Sequence, residues 1–310
     1  MPAALKDIYG KGPSYPQPSL LILQDTLQNI IGEFQHVYIV IDALDECADR
    51  YKLLRWVKDI SRWPGGKLHI MLSSRRERDI EDNLVDIKGL ERVSFAGGSA
   101  NPDIVKFVDE KLAELIIWKK LDPEIQMLVI HALLEGADGS FRWVALQLFE
   151  LSRCPNVRTL KQKLRALPKD LEETYQQLLS SSSQADDLRR FLNWVAFSAR
   201  PITLEELAEV VTVDFQSGGR PCYDCDLRYT DPRDVLTVCS GFITEFNGAF
   251  NFSPANQTLL TIYPGIVKLS HMSVKDYLLS DQISSGAAAY YSINASQSHC
   301  LIAQTSLAYL

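Results

Sequence analysis

The residues best suited to catalysis or metal binding form an acidic cluster of Asp42, Asp45 and Glu46. This cluster directly follows the apolar run Val37 to Ile41. Branched and aromatic residues in such a run predict a strand buried on both faces, as in a parallel sheet covered by helices. Because open α/β sheets bind ligands at the carboxyl ends of their strands, acids at this point indicate a hard cation or an activated water. The sequence leaves equally open an acidic loop that caps the next helix.

Two arginines, Arg75 and Arg76, follow a second predicted strand at residues 67–74. Apolar residues at helical spacing lie between the two strands, so the order strand, helix, strand predicts a parallel pair with a right-handed crossover. This topology brings Asp42 and Arg75 to one edge of the sheet. An ion pair would account for the two charges, and a polyphosphate with its metal is the alternative. The segment RVSF at 92–95 suggests a third strand.

The segments before and after these two strands in the sequence are predicted to be mostly helical. Apolar spacing predicts a helix over residues 20–31 and helices throughout 101–183, with a linker at 180–187. Helix boundaries are indicated at Asn101-Pro102, Asp122-Pro123, Gly136 to Gly139 and Pro155. The segment FRWVALQLFEL is apolar on nearly every side, which is typical of a central, buried helix.

The last third of the chain predicts a winged helix. Three helices are expected at Phe191 to Phe197, at Pro201 to Val211 and over DVLTVCSGFI, the second opened by a capping box of Thr203 and Glu206. Strand signals follow at FITEF, AFNFS and IVKLSH, with Asn247-Gly248 as the turn between the first two. Residues 286–310 carry a further helical pattern.

Composition excludes several classes of protein. The chain has 310 residues, 46% of them hydrophobic, and a net charge of −7, which gives no electrostatic footprint for nucleic acid or anionic membrane. Residues 186–281 contain 8 basic and 13 acidic side chains, a poor balance for a winged helix that reads DNA. The sequence shows no apolar run of bilayer length and no signal-peptide core, so we expect a cytosolic or nuclear protein and take the cytoplasm as its location.

Six cysteines are too few and too scattered for a disulfide scaffold, and we expect reduced thiols. Cys222 and Cys225 form a single C-x-x-C. One such pair without a second at zinc spacing is insufficient to assign a metal.

The order of these motifs resembles the NACHT-type signal-transduction NTPases. VYIVIDALDEC, LHIMLSSRRERDI, GADGSFRWVALQLFEL, ALPKDLEETYQQLL, RPITLEELAEVV and VKLSHMSVKDYLL carry the resemblance, which extends from about residue 20 to the end. The nearest likeness is to the fungal branch, with a nephrocystin-like NTPase core and a winged helix of the GPI inositol-deacylase type. It implies an α/β plus all-α fold: an incomplete parallel-sheet P-loop NTPase core at 1–100, a helical lid at 101–183, a winged helix at 186–285 and the start of a further helical region at 286–310.

The resemblance also implies roles for individual residues. DALDE corresponds to the Walker B motif, in which Asp42 would hold Mg²⁺, mostly through water, while Asp45 and Glu46 would complete the acidic site and orient the hydrolytic water. Arg75 matches the sensor arginine that reads the terminal phosphate of ATP, although Arg76 stands where the family usually has proline. His271 matches the winged-helix histidine that contacts the bound ADP; a satisfied core histidine is the alternative.

No G-x-x-x-x-G-K-[ST] motif occurs in the 310 residues. Since the P-loop supplies the amide cradle and the lysine that bind phosphate, we expect little or no ATPase activity. Without the family's P-loop strand, the second strand would have an unpaired apolar edge open to another chain. We therefore expect a truncated or mis-annotated copy, or part of a longer protein. The competing hypothesis is a non-catalytic module that binds protein partners or itself.

Overall fold

The computed structural model describes residues 18–63, 68–93, 102–115, 118–215, 220–251 and 260–310. The chain divides into two compact units, Met1–Ser94 and Phe95–Leu310. The described part is mostly helical with small sheets, which agrees with the mixed α and β character that the sequence predicts. Among the described residues, no helix combines the length and the apolar character that a bilayer crossing requires.

The first unit is built on two parallel strands, β1 (Val37–Ile41) and β2 (Leu68–Leu72), paired in register from Val37 with Leu68 to Ile41 with Leu72. The parallel pair confirms the prediction. Its described helices are α1 (Leu20–Gly32), α2 (Arg50–Ser61) and α3 (Arg78–Leu84).

Helices cover only one face of this sheet within the described residues. Burial alternates along both strands, and the side chains of Tyr38, Val40 and Met71 are 72%, 63% and 62% exposed. The prediction that β1 is buried on both faces was therefore wrong. The buried face meets a small core of Leu44, Leu54 and Ile80, because α2 and α3 both pack on that side.

The predicted third strand is also absent from the described residues. Arg92 and Val93 have irregular backbone, and Ser94 and Phe95 lie outside the described part. Within that part, β2 pairs with β1 alone, so its other edge has no strand beside it. The helix predicted between the two strands is α2, which ends at Ser61.

The second unit begins with a helical stretch whose starts follow the sequence signals. Asp122 caps its helix through the Glu124 N–H, with Pro123 as the first helical residue, as predicted. Half of the predicted linker at 180–187 is helical, and the other half, 181–184, separates two helices. The helices are α4 (Pro102–Glu114), α5 (Pro123–Gly136), α6 (Phe141–Ser152), α7 (Val157–Arg165) and α8 (Leu171–Ser180).

Helix α6 is the centre of this stretch. Six of its residues are buried, Trp143 and Val144 among them, which confirms the predicted central helix. The indole N–H of Trp143 donates to the Pro168 carbonyl oxygen at 3.0 Å, so the largest side chain of the core also has its polar atom satisfied.

Helices and a long hairpin follow. The helices are α9 (Ala185–Phe197), α10 (Leu204–Glu209), α11 (Asp234–Val238), α12 (Met272–Leu279), α13 (Asp281–Ser285) and α14 (Ala295–Tyr309). The strands are β3 (Ile202–Thr203), β4 (Val213–Asp214), β5 (Cys222–Tyr223), β6 (Ile243–Asn251) and β7 (Leu260–Leu269). β7 lies between β3 and β6, and β4 pairs with β5.

Two predictions for this region were wrong. Asn247-Gly248 is not a turn, because β6 runs through both residues in antiparallel register with β7, with an irregularity between Phe246 and Gly248. The third helix ends at Val238, well before Ile243 begins β6. The capping box of Thr203 and Glu206 is confirmed, although its helix is one short segment.

Candidate functional site

The acidic loop after β1 turns sharply. Ala43 has φ of 51°, in the left-handed region that L residues rarely adopt. This turn buries Leu44 completely against the core of the first unit, while Asp42 and Glu46 remain exposed. Leu44–Glu46 then form a 3₁₀ turn before α2. Leu44, the buried residue of the DALDE segment, thus anchors the loop.

Ser73 ties this loop to the end of β2. Its N–H donates to the Ile41 carbonyl at 2.9 Å, and its own carbonyl accepts from the Leu44 N–H at 2.9 Å. Its hydroxyl accepts from the Ala43 N–H at 2.9 Å and donates to the Asp42 carboxylate. The orientation of Asp42 is therefore fixed by a neighbouring strand, a contact that sequence reasoning missed.

Asp45 and Arg75 meet at the same edge, as the predicted topology required. The Arg75 N–H donates to Asp45 Oδ1 at 3.0 Å, and Arg75 Nε lies 3.0 Å from Oδ2. The Asp45 side chain is only 5% exposed, whereas that of Arg75 is 51% exposed. Burial alone would raise the pKa of Asp45, but the Arg75 backbone hydrogen bond and the Arg75 charge outweigh it and lower that pKa. The Asp45 carboxylate thus stays ionised while it holds Arg75.

A second arginine, Arg50, binds the backbone of the acidic loop. It is the first residue of α2, and its Nη2 donates to the Asp45 carbonyl oxygen at 2.5 Å. Its Nη1 binds Glu77 and lies 3.1 Å from Asp79. A basic residue in the first turn of a helix opposes the helix dipole, and that mismatch was the sequence signal that could have revealed Arg50.

Two carboxylates of the cluster face outward. Asp42 and Glu46 are exposed, and the Glu46 carboxylate makes no hydrogen bond or ion pair within the part of the chain that the structure describes. Mg²⁺ is usually held by one or two carboxylates with several waters in its remaining positions. The residues therefore fit Mg²⁺: Asp42 and Glu46 can offer oxygens, while Asp45 is already engaged by Arg75.

His271 lies in the second unit, so the structure describes it apart from the acidic loop. It caps α12: its Nδ1 accepts from the Ser273 N–H at 3.1 Å and lies 2.7 Å from the Ser273 hydroxyl. That hydroxyl is 2.9 Å from Tyr175 Oη, which also lies 3.4 Å from Arg142 Nε. The capping bond makes Nδ1 an acceptor, so the proton of a neutral imidazole is on Nε2.

The two cysteines of the C-x-x-C pair do not lie together in a group of metal-ligand side chains among the described residues. Cys222 and Cys225 are exposed thiols, and the described grouping with metal-ligand types at this point is Asp224, Cys225 and Asp226. Cys222 is not part of it. Neighbouring acids on an exposed turn are common without an ion.

Comparisons with known proteins connect this site to a family. The family model "Nephrocystin 3, N-terminal" matches residues 3–75, a range that includes the acidic loop and ends at Arg75. The chain is 34% identical to the azaphilone pigments biosynthesis cluster protein L of Monascus ruber over 176 residues, which is 55% of this chain and 34% of that protein. It is 27% identical to the vegetative incompatibility protein HET-E-1 of Podospora anserina over 262 residues, which is 81% of this chain and 17% of that protein.

The chain thus spans about a third of the first of these relatives and about a sixth of the second. No solved structure gives a significant match. Together the family match and the two fungal relatives support the NACHT-like fungal family that the motifs indicate.

Proposed function

We propose that this chain is part of a fungal NACHT-type signalling NTPase. It would supply the residues that bind Mg²⁺ and the sensor arginine of a site for ATP or ADP. The observation that carries the proposal is the edge formed by β1 and β2. There Ser73 orients Asp42, and Asp45 holds Arg75, within the range matched by the nephrocystin family model. An acid and a guanidinium fixed by neighbouring parallel strands suit a polyphosphate and its cation.

The geometry supports distinct roles for the three acids. Asp42 would bind Mg²⁺, largely through water, and Mg²⁺ would neutralise charge on the phosphates. Glu46, exposed beside it, would orient the attacking water. Asp45 would hold Arg75 in place, because its two oxygens already accept from the backbone and the side chain of that residue.

His271 would contact the terminal phosphate of ADP through Nε2–H. This assignment rests on the capping bond to Ser273, which makes Nδ1 an acceptor and leaves Nε2 as the donor. The Tyr175 and Arg142 contacts behind Ser273 would keep the imidazole in one orientation. Identifying the three helices and the β6–β7 hairpin as a winged helix belongs to the same proposal.

A second candidate function is a non-catalytic interaction module. The exposed apolar face of Tyr38, Val40 and Met71 favours it, because such a face suits a protein partner better than water. The absence of a P-loop motif in these 310 residues favours weak nucleotide affinity and little hydrolysis.

Calorimetric titration of the 310-residue chain with ADP, and with ATP plus Mg²⁺, separates the two. The nucleotide-site proposal predicts saturable binding whose Mg²⁺-dependent part is lost in Asp42→Ala. That part should be kept in Asp49→Ala, since Asp49 is an exposed acid of the same segment. No binding by a folded, monodisperse chain would refute nucleotide binding by this chain and favour the interaction module.

The His271 role has its own test. His271→Asn keeps an N-cap side chain but removes Nε2, so it separates helix stability from ligand contact. We expect this variant to weaken ADP binding more than ATP binding. Equal weakening of both nucleotides would contradict the role.

A further inference from the structure

A cavity in the second unit has no part in the proposed nucleotide site. Its volume is about 290 Å³, and it lies among α9, the residue after β4 and the segment leading into α14. A space of this size holds several waters and suits a small organic molecule. Its lining includes Asp186, Arg189, Arg190, Phe215, Tyr290 and Gln297.

One face of α9 supplies the charge in this cavity. Asp186, Arg189, Arg190 and Asn193 are spaced to lie on one side of the helix, the side that meets α14. A helix face that packs against another helix is ordinarily apolar. Two of these residues have structural partners: Asp186 accepts from the Tyr290 hydroxyl, and Asn193 Oδ1 accepts from Ser298 at 2.6 Å. The two arginines supply the positive charge of this face.

Neither arginine forms an ion pair with a carboxylate in the described part of the chain. The Arg189 guanidinium lies over the Tyr290 ring at 4.9 Å, and that of Arg190 lies over the Phe215 ring at 5.1 Å. Arg190 Nη1 donates to the Val213 carbonyl at 2.9 Å. Arg189 Nε is buried with no hydrogen-bond partner, one of two such side-chain nitrogens among the described residues, the other being Trp194 Nε1.

A buried donor without an acceptor costs free energy unless something outside the chain accepts its hydrogen bond. The opposite wall adds the Gln297 side chain, whose amide has no hydrogen bond to a described residue. The charged lining consists of two arginines and one aspartate, so its net charge is positive in a chain that carries −7 overall. Guanidinium groups bind carboxylate and phosphate oxygens by paired, charge-assisted hydrogen bonds.

We propose that this cavity binds a small organic oxyanion, a carboxylate or a phosphate, held by Arg189 and Arg190 with Gln297 as a further donor. The rings of Tyr290 and Phe215, whose centroids lie 4.9 Å and 5.1 Å from the two guanidinium groups, help to position them. The site is independent of the nucleotide proposal, because none of its residues belongs to the acidic loop or to the His271 network.

The experiment uses the full 310-residue chain with three probes: orthophosphate, benzoate and the uncharged benzamide. Binding is followed by calorimetry and by the ¹⁵N arginine side-chain resonance of Arg189 Nε. We expect saturable binding of benzoate or orthophosphate, with a shift of that resonance, and none of benzamide; which anion binds identifies the ligand chemistry.

The variants Arg189→Gln and Arg190→Gln should weaken that binding by about tenfold or more, since each removes a charge-assisted hydrogen bond. Gln297→Leu, on a different element, should weaken it less and leaves both arginines intact. The matched control is Arg153→Gln, because Arg153 also lies over a phenylalanine ring, at 5.3 Å from Phe149, away from the cavity.

Thermal unfolding followed by circular dichroism confirms that each variant is folded. The proposal would be overturned if neither anion binds, if benzamide binds as well as the anions do, or if binding is unchanged in folded Arg189→Gln and Arg190→Gln.

Discussion

Replacing Asp45 tests whether this acid holds the two strand ends together. Asp45→Ala removes the acceptor of the Arg75 N–H, an exposed hydrogen bond whose net contribution is about 0.5–1.5 kcal/mol. The ion pair itself adds only about 0.2–1 kcal/mol, because the Arg75 side chain is half exposed. We expect the first unit to lose about 1–2 kcal/mol. Asp45→Asn, which keeps an amide oxygen for the N–H, should lose about 1 kcal/mol or less.

Native-state hydrogen exchange measures this in the unit concerned, which a global melt of a two-unit chain would not. The Leu44 and Ser73 amides report directly, since each donates across the two strand ends. At about 1.4 kcal/mol per tenfold, exchange in Asp45→Ala should be faster by roughly 5- to 30-fold. Asp49→Asn, an exposed acid paired with Lys52, should change it by less than about threefold.

The stabilisation that Asp45 provides should depend on pH in a direction set by its pKa shift. The folded pKa of Asp45 lies below its value of 3.8 in the unfolded chain. Its stabilisation is therefore fully present above that unfolded value and is lost as pH falls through the folded pKa. The difference between the natural chain and Asp45→Asn should stay constant from about pH 7 to 5 and close below about pH 4. A difference that grows on acidification, or an Asp45→Ala effect no larger than that of Asp49→Asn, would refute the reasoning.

Two further predictions concern the second unit and its thiols. Gly136→Ala should destabilise by about 1–3 kcal/mol in urea unfolding, because a Cβ there would lie 2.4 Å from Trp143 Cη2, whereas Gly32→Ala, with nothing within 4 Å, should be nearly neutral. Burial raises the pKa of the Cys239 thiol far above its usual range, so in the folded chain at pH 8 iodoacetamide should label the exposed Cys222 and leave Cys239 unlabelled by mass spectrometry; equal labelling of both would contradict the described burial.

The features that the sequence predicted correctly depend on neighbours in the chain. The capping box of Thr203 and Glu206 and the start of α5 at Asp122 and Pro123 need only three or four residues to form. The meeting of Asp45 with Arg75 was also predictable, because a parallel crossover leaves few places for a strand end.

The features that sequence analysis missed depend on distant residues. Asn247-Gly248 carries a strong local turn signal, but pairing with β7 keeps both residues in a strand. The exposure of Tyr38 and Val40 follows from which face the helices cover, and a run of apolar residues carries no information about that. The contact between Ser73 and Asp42 joins residues 31 positions apart, and only the strand register sets it.

The bonds of Arg142 have a consequence for synthesis of the chain. Its Nη2 reaches the Gly241 carbonyl and, at 2.7 Å, the Ser270 hydroxyl, 99 and 128 residues later in the sequence. A ribosome adding roughly 5–20 residues per second would need about 6–25 s to reach Ser270 after Arg142. During that interval Arg142 Nη2 lacks at least one of these two acceptors, so we expect the packing around it to remain incomplete. We expect ribosome-bound chains that end before Ser270 to be more sensitive to protease than the released protein, with chaperones needed most in that interval.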